Sequence, residues 1–301
     1  PGGGVQIRLR GVTSINAAAQ PLYVVDRVVV SDVAIPSNQN AVTNAAGGSN
    51  PALTQDGQVN RIADLSPADI ESIEILKGAS AAAIYGGRAS NGVVVIRTKP
   101  GTPGDARFSF TQRFGFFDLS NKIGFRRFTS AAEGDAAFGA GTAAANGFSP
   151  GRFFDLEEQL AGRNALSHET LASVSGGNEN TRYFASGGVK NDEGIIDNTG
   201  FQRQSVWLNL DQRLGRRVGS SISTSVLHTR ARRGLTNNDN ASVSFYMVLP
   251  FTPTFVDLRK NPDGTFPNNP FIPSNPLQTA ALMQNDEDVW RFLASSRVTV
   301  N

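Results

Sequence analysis

A two-residue alternation runs through the last two-thirds of the chain. Phe108, Phe110, Phe114 and Phe116 alternate with Ser109, Thr111, Arg113 and Gly115. Successive side chains of a strand point to opposite faces, so this segment predicts a strand with one apolar and one polar face. Tyr183, Ala185, Gly187 and Val189 repeat the beat against Arg182, Ser186 and Lys190, with Phe184 out of step. Val206, Leu208 and Leu210 oppose Asn209 and Asp211, and Val218, Ile222 and Val226 oppose Ser221, Ser223 and Ser225. Trp290, Phe292, Val298 and Val300 oppose Arg291, Ser295, Arg297 and Thr299. A weaker segment from His168 to Gly176 completes about six predicted strands.

The connections alternate in length. A long polar stretch, Asp118 to Ser167, follows the first strand, and Gly177–Asn180 is a tight turn. A medium connection spans Asn191 to Arg203, Gly215–Arg217 is tight again, and Thr229 to Asp288 is long. Short turns on one side and long loops on the other are the pattern of an outer-membrane barrel. No run of about 18 apolar residues predicts a transmembrane helix.

The first third has a different texture. Val5, Ile7 and Leu9 alternate with Gln6, Arg8 and Arg10, predicting a half-buried strand. Leu22–Val25 and Val28–Val30 are apolar runs around Asp26-Arg27, and Ser31 to Asn60 reads as a polar loop. Ser66-Pro67 predicts a short helix, serine serving as cap and proline fitting the first turn. Ile70, Ile73, Ile75 and Leu76 predict a strand, Ala79 to Ile84 a helical turn, and Val93–Ile96 a buried strand. Gly86, Gly87 and Asn91-Gly92 punctuate the sequence between them. The character changes after Pro100-Gly-Thr-Pro-Gly104, which divides the chain into 1–104 and 105–301.

The stretch from Asp69 to Lys99 resembles, almost residue for residue, the end of the plug domain of TonB-dependent outer-membrane transporters, in their SusC/RagA-type branch. Gln6–Gly11 and Gln20–Asp26 also resemble that plug, although the family usually continues Asp-Gly where this chain has Arg27. Thr181–Ser186, Asn191–Ile196 and Val206–Asp211 resemble the early barrel. The resemblance implies an α+β plug, 1–104 being its C-terminal part, inside a large antiparallel transmembrane β-barrel. Barrels of about 22 strands have a lumen that holds a plug, whereas about eight strands leave none. Residues 105–301 are therefore expected to supply only the first strands. The chain begins Pro1-Gly-Gly-Gly without Met or a signal segment and stops in what reads as mid-strand, so an internal fragment is expected.

The resemblance implies TonB-dependent, plug-gated import of an oligosaccharide or peptide across the outer membrane of a Gram-negative bacterium. Its partners would be a SusD-like surface lipoprotein, TonB–ExbB–ExbD and outer-membrane lipid. An outer-membrane scaffold barrel in a surface assembly is the alternative. With 28 basic and 26 acidic residues the formal charge is only +2, which argues against a nucleic-acid surface. The absence of cysteine removes disulfides and thiolate metal sites.

No enzyme, cofactor or catalytic centre is expected. His168 and His228 lack a metal-ligand spacing and read as solvated or lumen-facing residues. The plug motif residues Asp69, Glu71, Glu74, Lys77, Gly78, Tyr85, Gly86, Arg88, Asn91 and Gly92 are expected to be structural or gating. Their charges suit ion pairs within the plug or with the barrel wall better than a carboxylate pair for acid–base chemistry. The Gly-rich segments lack Walker or dinucleotide spacing. Asn237–Asn240 and Asn261–Gly264 read as turns. Trp207 falls on the polar, lumen side of its strand, where it either stacks on a ligand or packs on the plug. The aromatics Phe245, Tyr246, Phe251, Phe255, Phe266 and Phe271 either fold the last loop onto itself or form a partner surface.

Overall fold

The computed structural model of the chain describes residues 9, 21–30, 65–77, 79–234 and 245–300. The expected strand at 5–10, apart from Leu9, and the expected loop at 31–60 lie outside them, as do Asn237–Asn240.

A small sheet comes first. Its strands are β1 (Leu22–Val25), β2 (Val28–Val30), β3 (Ile70–Leu76) and β4 (Val93–Thr98), in the order β2-β1-β4-β3. The central pair β1–β4 is parallel and the outer pairs are antiparallel. Parallel strands covered on both faces read as continuous apolar runs rather than alternations. Accordingly all four residues of β1 are buried. Leu22, Val24 and Val93 pack on Ala81 and Ala89, under the helix α1 (Ala79–Tyr85) and the turn that follows it. Tyr23, Val25, Val94 and Ile96 face the other way. Alanines let the helix approach closely.

One local expectation needs correction. A 3-10 turn does form at Pro67–Asp69, but Ser66 makes no capping bond and its hydroxyl is buried without a hydrogen-bond partner. The β1–β2 turn keeps the backbone that glycine favours although it has none. Asp26 and Arg27 have φ of 44° and 73°, the doubly left-handed form of a type I′ hairpin. That twist matches the strands it joins, so geometry prevails over side-chain preference.

The large sheet is an antiparallel meander of β5 (Gly104–Gly115), β6 (Ser167–Gly177), β7 (Thr181–Glu193), β8 (Gly200–Leu214), β9 (Val218–Arg232) and β10 (Asp286–Val300). Several strands extend beyond the alternating stretches. The medium connection therefore shrinks to 194–199, and Phe116 lies just past the end of β5. The register lines up Phe110, Ala172, Gly187, Val206, Val226 and Phe292 across one face. The row of opposite parity is Ser109, Ser173, Ser186, Trp207, Ser225 and Leu293. The first face is exposed and apolar, with Phe108, Phe110, Val206, Trp290 and Phe292 at 60–82% accessibility. The second face carries the small sheet.

The two long connections are folded. The first carries α2 (Ala131–Phe138), α3 (Thr142–Ala145) and α4 (Leu156–Ala161); the second carries α5 (Phe245–Val248) and α6 (Pro276–Leu282). Ser130, Asp155 and Asn275 cap α2, α4 and α6 through their side-chain oxygens. One shared core joins Phe128, Phe255 and Leu258 with Phe138, Phe148 and Phe271 in edge-to-face contacts. A second joins Leu156, Leu160, Ile196, Phe245 and Leu249. Phe245 and Phe255 are fully buried, so these aromatics fold the loop onto its neighbour; Phe251 stays exposed. Glu157, 1% exposed, accepts the backbone N–H groups of Ile123 and Gly124 at 3.2 Å each, tying the first loop to α4.

Candidate functional site

The contact between the small sheet and the polar face of the large one is the candidate site. Trp207 sits at its centre, 6% exposed, in one core with Tyr23, Val25, Val30, Leu65, Val94 and Ile96. Its Nε1–H donates to Asn209 Oδ1 at 3.2 Å. Asn209 Nδ2 in turn donates to Thr98 Oγ1 at 2.7 Å and to the Lys99 carbonyl at 2.9 Å. Thr98 donates its N–H to Asp26 Oδ1 at 2.9 Å and its hydroxyl to Oδ2. Ser223 on β9 also donates to Oδ2, at 2.9 Å. One chain of hydrogen bonds thus runs from Trp207 on β8 through the small sheet and back to β9. Desolvated polar groups hold a contact only when satisfied, and this set is satisfied reciprocally.

A second polar contact lies to one side. Asp69 is hydrogen-bonded to Ser186 of the large sheet, with Arg203 and Lys99 near enough to act on its charge. Burial pushes its carboxyl above the usual range, opposed by the Ser186 hydrogen bond and by Arg203 and Lys99. Arg203 is buried and pairs with Glu169 at 2.9 Å, and Glu169 pairs with Arg113 at 2.7 Å. Such networks specify one docked arrangement more than they add stability.

The linker between the sheets is held as well. Ser175 Oγ accepts the N–H of Thr102 at 3.1 Å. A Cβ on Gly101 would meet the Tyr183 nitrogen at 2.2 Å, so only glycine allows this approach of backbone to β7.

The motif residues scatter around this contact. Glu74 pairs with Arg97 at 3.3 Å within the small sheet. Glu71 and Tyr85 line a polar cavity between the sheets, and Lys77 is exposed. Gly86 and Gly92 take positive φ of 75° and 93°, bracketing the turn that contains the half-buried Asn91. Gly78 and the side chain of Arg88 lie outside the described residues. His168 and His228 share the parity of the exposed apolar face, so of the two readings, solvated or lumen-facing, the lumen-facing one does not hold. His228 stacks on Trp290 at 4.1 Å and meets Asp288 at 2.8 Å.

Asp26, Asn209 and Ser223 were not singled out from the sequence. An Asp at a two-residue turn without glycine was the available signal for the first. Nothing local marks the other two, because their partners lie 111 and 197 residues away.

The TonB-dependent Receptor Plug Domain family matches residues 1–93. The TonB-dependent receptor SusC of Bacteroides thetaiotaomicron is 30% identical over 95% of this chain and 28% of its own length. TonB-dependent receptor P3 of Formosa agariphila is 28% identical over 89% of this chain and 23% of its own length. The chain thus spans under a third of the curated relatives it matches. Among solved structures, the RagAB peptide transporter aligns at TM-score 0.61 and 22% identity, covering 87% of this chain and 30% of that one.

Proposed function

We propose that this SusC/RagA-like chain, bearing the plug domain of a TonB-dependent receptor, serves plug-gated import across the outer membrane. The observation that carries the reading is the two-facedness of the large sheet. One face is exposed and apolar, as a lipid-facing wall requires, and the other holds the small sheet through polar contacts and one buried tryptophan. A hydrogen-bonded, partly ionic contact specifies a closed state yet separates without breaking covalent bonds. The 1–104 segment acts as the plug and 105–301 as the first strands of the wall. In this reading Trp207 is a docking residue, and Asp69, Glu74 and the glycine turns keep the plug in register. TonB–ExbB–ExbD supplies the pull, and a SusD-like lipoprotein covers the folded outer loops. The cargo is an oligosaccharide or a peptide; the solved RagAB relative is a peptide transporter and the curated relative is SusC.

The test is uptake in cells with and without TonB, together with purification of the whole protein in mild detergent. TonB-dependent uptake and a co-purifying lipoprotein would support the proposal. Full growth on candidate glycans and peptides without this protein, and a scaffold assembly as its only companion, would overturn it.

A further inference from the structure

We propose that the β8–β9 turn, Gly215–Arg217, docks the headgroup of an anionic phospholipid in the inner leaflet of the outer membrane. Its placement on the periplasmic side rests on the import reading above, in which the short turns lie there and the long loops outside. The turn has a neighbouring strand on each side, β7 and β10. Asn180 of the β6–β7 turn accepts the Arg213 N–H at 2.7 Å, which fixes the two turns side by side. Arg216 and Arg217 form the exposed tip. The strand register sets their depth. Leu214 and Val218, which flank the turn, share the parity of the exposed apolar face, and Leu214 is 58% exposed. Along β9 the outward positions stay apolar or hydroxylic from Val218 to Val226, and charge returns at Arg230. That stretch matches the roughly 9–11 residues with which a tilted strand crosses the hydrocarbon. The two arginines therefore fall at the headgroup level directly beneath it.

Charge is balanced at one rim of these strands and not at the other. At the far rim Arg230 pairs with Asp288 at 2.6 Å and Arg232 with Glu193 at 3.6 Å. Among the described residues neither Arg216 nor Arg217 forms an ion pair. The carboxylates of their rim are engaged elsewhere. Asp211 accepts the Ser221 hydroxyl, and Glu179 lines a cleft with Arg182 and Arg213. Asp105 is on β5, separated from the turn by β6 and β7. Guanidinium groups present a planar fork that matches phosphate oxygens. A zwitterionic headgroup brings its own cation to this pair of like charges, whereas a net-negative one does not. Basic residues beside an apolar span attract anionic lipid, and exposed Leu214 gives the acyl chains an apolar surface at the same place.

The experiment is native mass spectrometry of the whole protein in detergent, offered equal amounts of phosphatidylglycerol and phosphatidylcholine. The wild type is expected to retain phosphatidylglycerol several-fold over phosphatidylcholine. Arg216→Gln/Arg217→Gln should lose most of that preference, while Arg230→Gln, at the opposite rim, should keep it. Arg216→Glu/Arg217→Glu should invert it, to an excess of phosphatidylcholine that a misfolded barrel would not show. Heat-modifiable migration confirms that each variant is assembled. No preference in the wild type, or the same preference in the glutamine or glutamate pair, would overturn the proposal. So would retention of added lipopolysaccharide, in place of phosphatidylglycerol, through the same two arginines. The measurement needs no transport, so failure of the import reading would show separately, as absent TonB-dependent uptake.

Discussion

Arg27 holds a left-handed backbone that costs an L-residue about 1–2 kcal/mol relative to glycine. Arg27→Gly is therefore expected to stabilise the hairpin by about 1 kcal/mol, because the greater freedom of glycine in the unfolded chain offsets part of the relief. A rise in the thermal midpoint of the detergent-solubilised protein would register it; an unchanged or lower midpoint would count against the strain. Trp207→Ala works in the other direction. Removing a buried tryptophan costs about 3–5 kcal/mol, through lost burial and the void left behind. Here the loss falls on the contact between sheets, so faster proteolysis of 21–98 with an intact large sheet is expected. Simultaneous loss of both would show that the wall depends on the plug. The face of Trp207 was legible from its alternation with Val206 and Leu208. What it touches was not, because β1 and β4 lie more than 100 residues earlier in the chain.

At the scale of elements, parity on the strands decides facing. Phe110 is 71% exposed on the apolar face. A mid-bilayer arginine there costs about 2–4 kcal/mol, so Phe110→Arg should impair barrel assembly, seen as loss of heat-modifiable migration. Normal assembly would overturn the facing. The loop layer makes a pH prediction. The Arg259 guanidinium holds the Asp257 carboxyl below its usual range, against a smaller opposing effect of burial. A carboxyl depressed by folding contributes stability that is complete above its unfolded pKa, about 3.9, and lost as pH falls through its lower folded value. Corrected for the intrinsic exchange rate, which itself falls in acid, amide protection at 254–259 should decline as the medium drops below about pH 4. Asp257→Asn should remove that dependence; an identical pH response in this variant would exclude Asp257 as the cause. The strands were legible because a two-residue period survives any tertiary context. The loop helices were missed because they are only four to eight residues long, too short for a helical period to emerge. Their caps were readable all the same: Ser130 three residues before Glu133, Asp155 before Leu156, and Asn275 before Pro276.

For the molecule as a whole, the resemblance from Asp69 to Lys99 pointed to the plug family, and the match over 1–93 and the likeness to SusC agree with it. The docking contact itself was not legible. It joins residues from three segments, each unremarkable alone: an Asp in a turn, an Asn on β8 and a Ser on β9. The strand pairing that brings them together also constrains how such a chain can change over time. A strand has two faces but a single order of residues, so it carries something like a reading frame. Inserting one residue early in β9 would turn Ser223 and Ser225 toward the exposed apolar face and Ile222 and Val226 toward the small sheet. Lineages should therefore lengthen these strands in steps of two, or compensate with a bulge, while the folded loops absorb odd numbers freely.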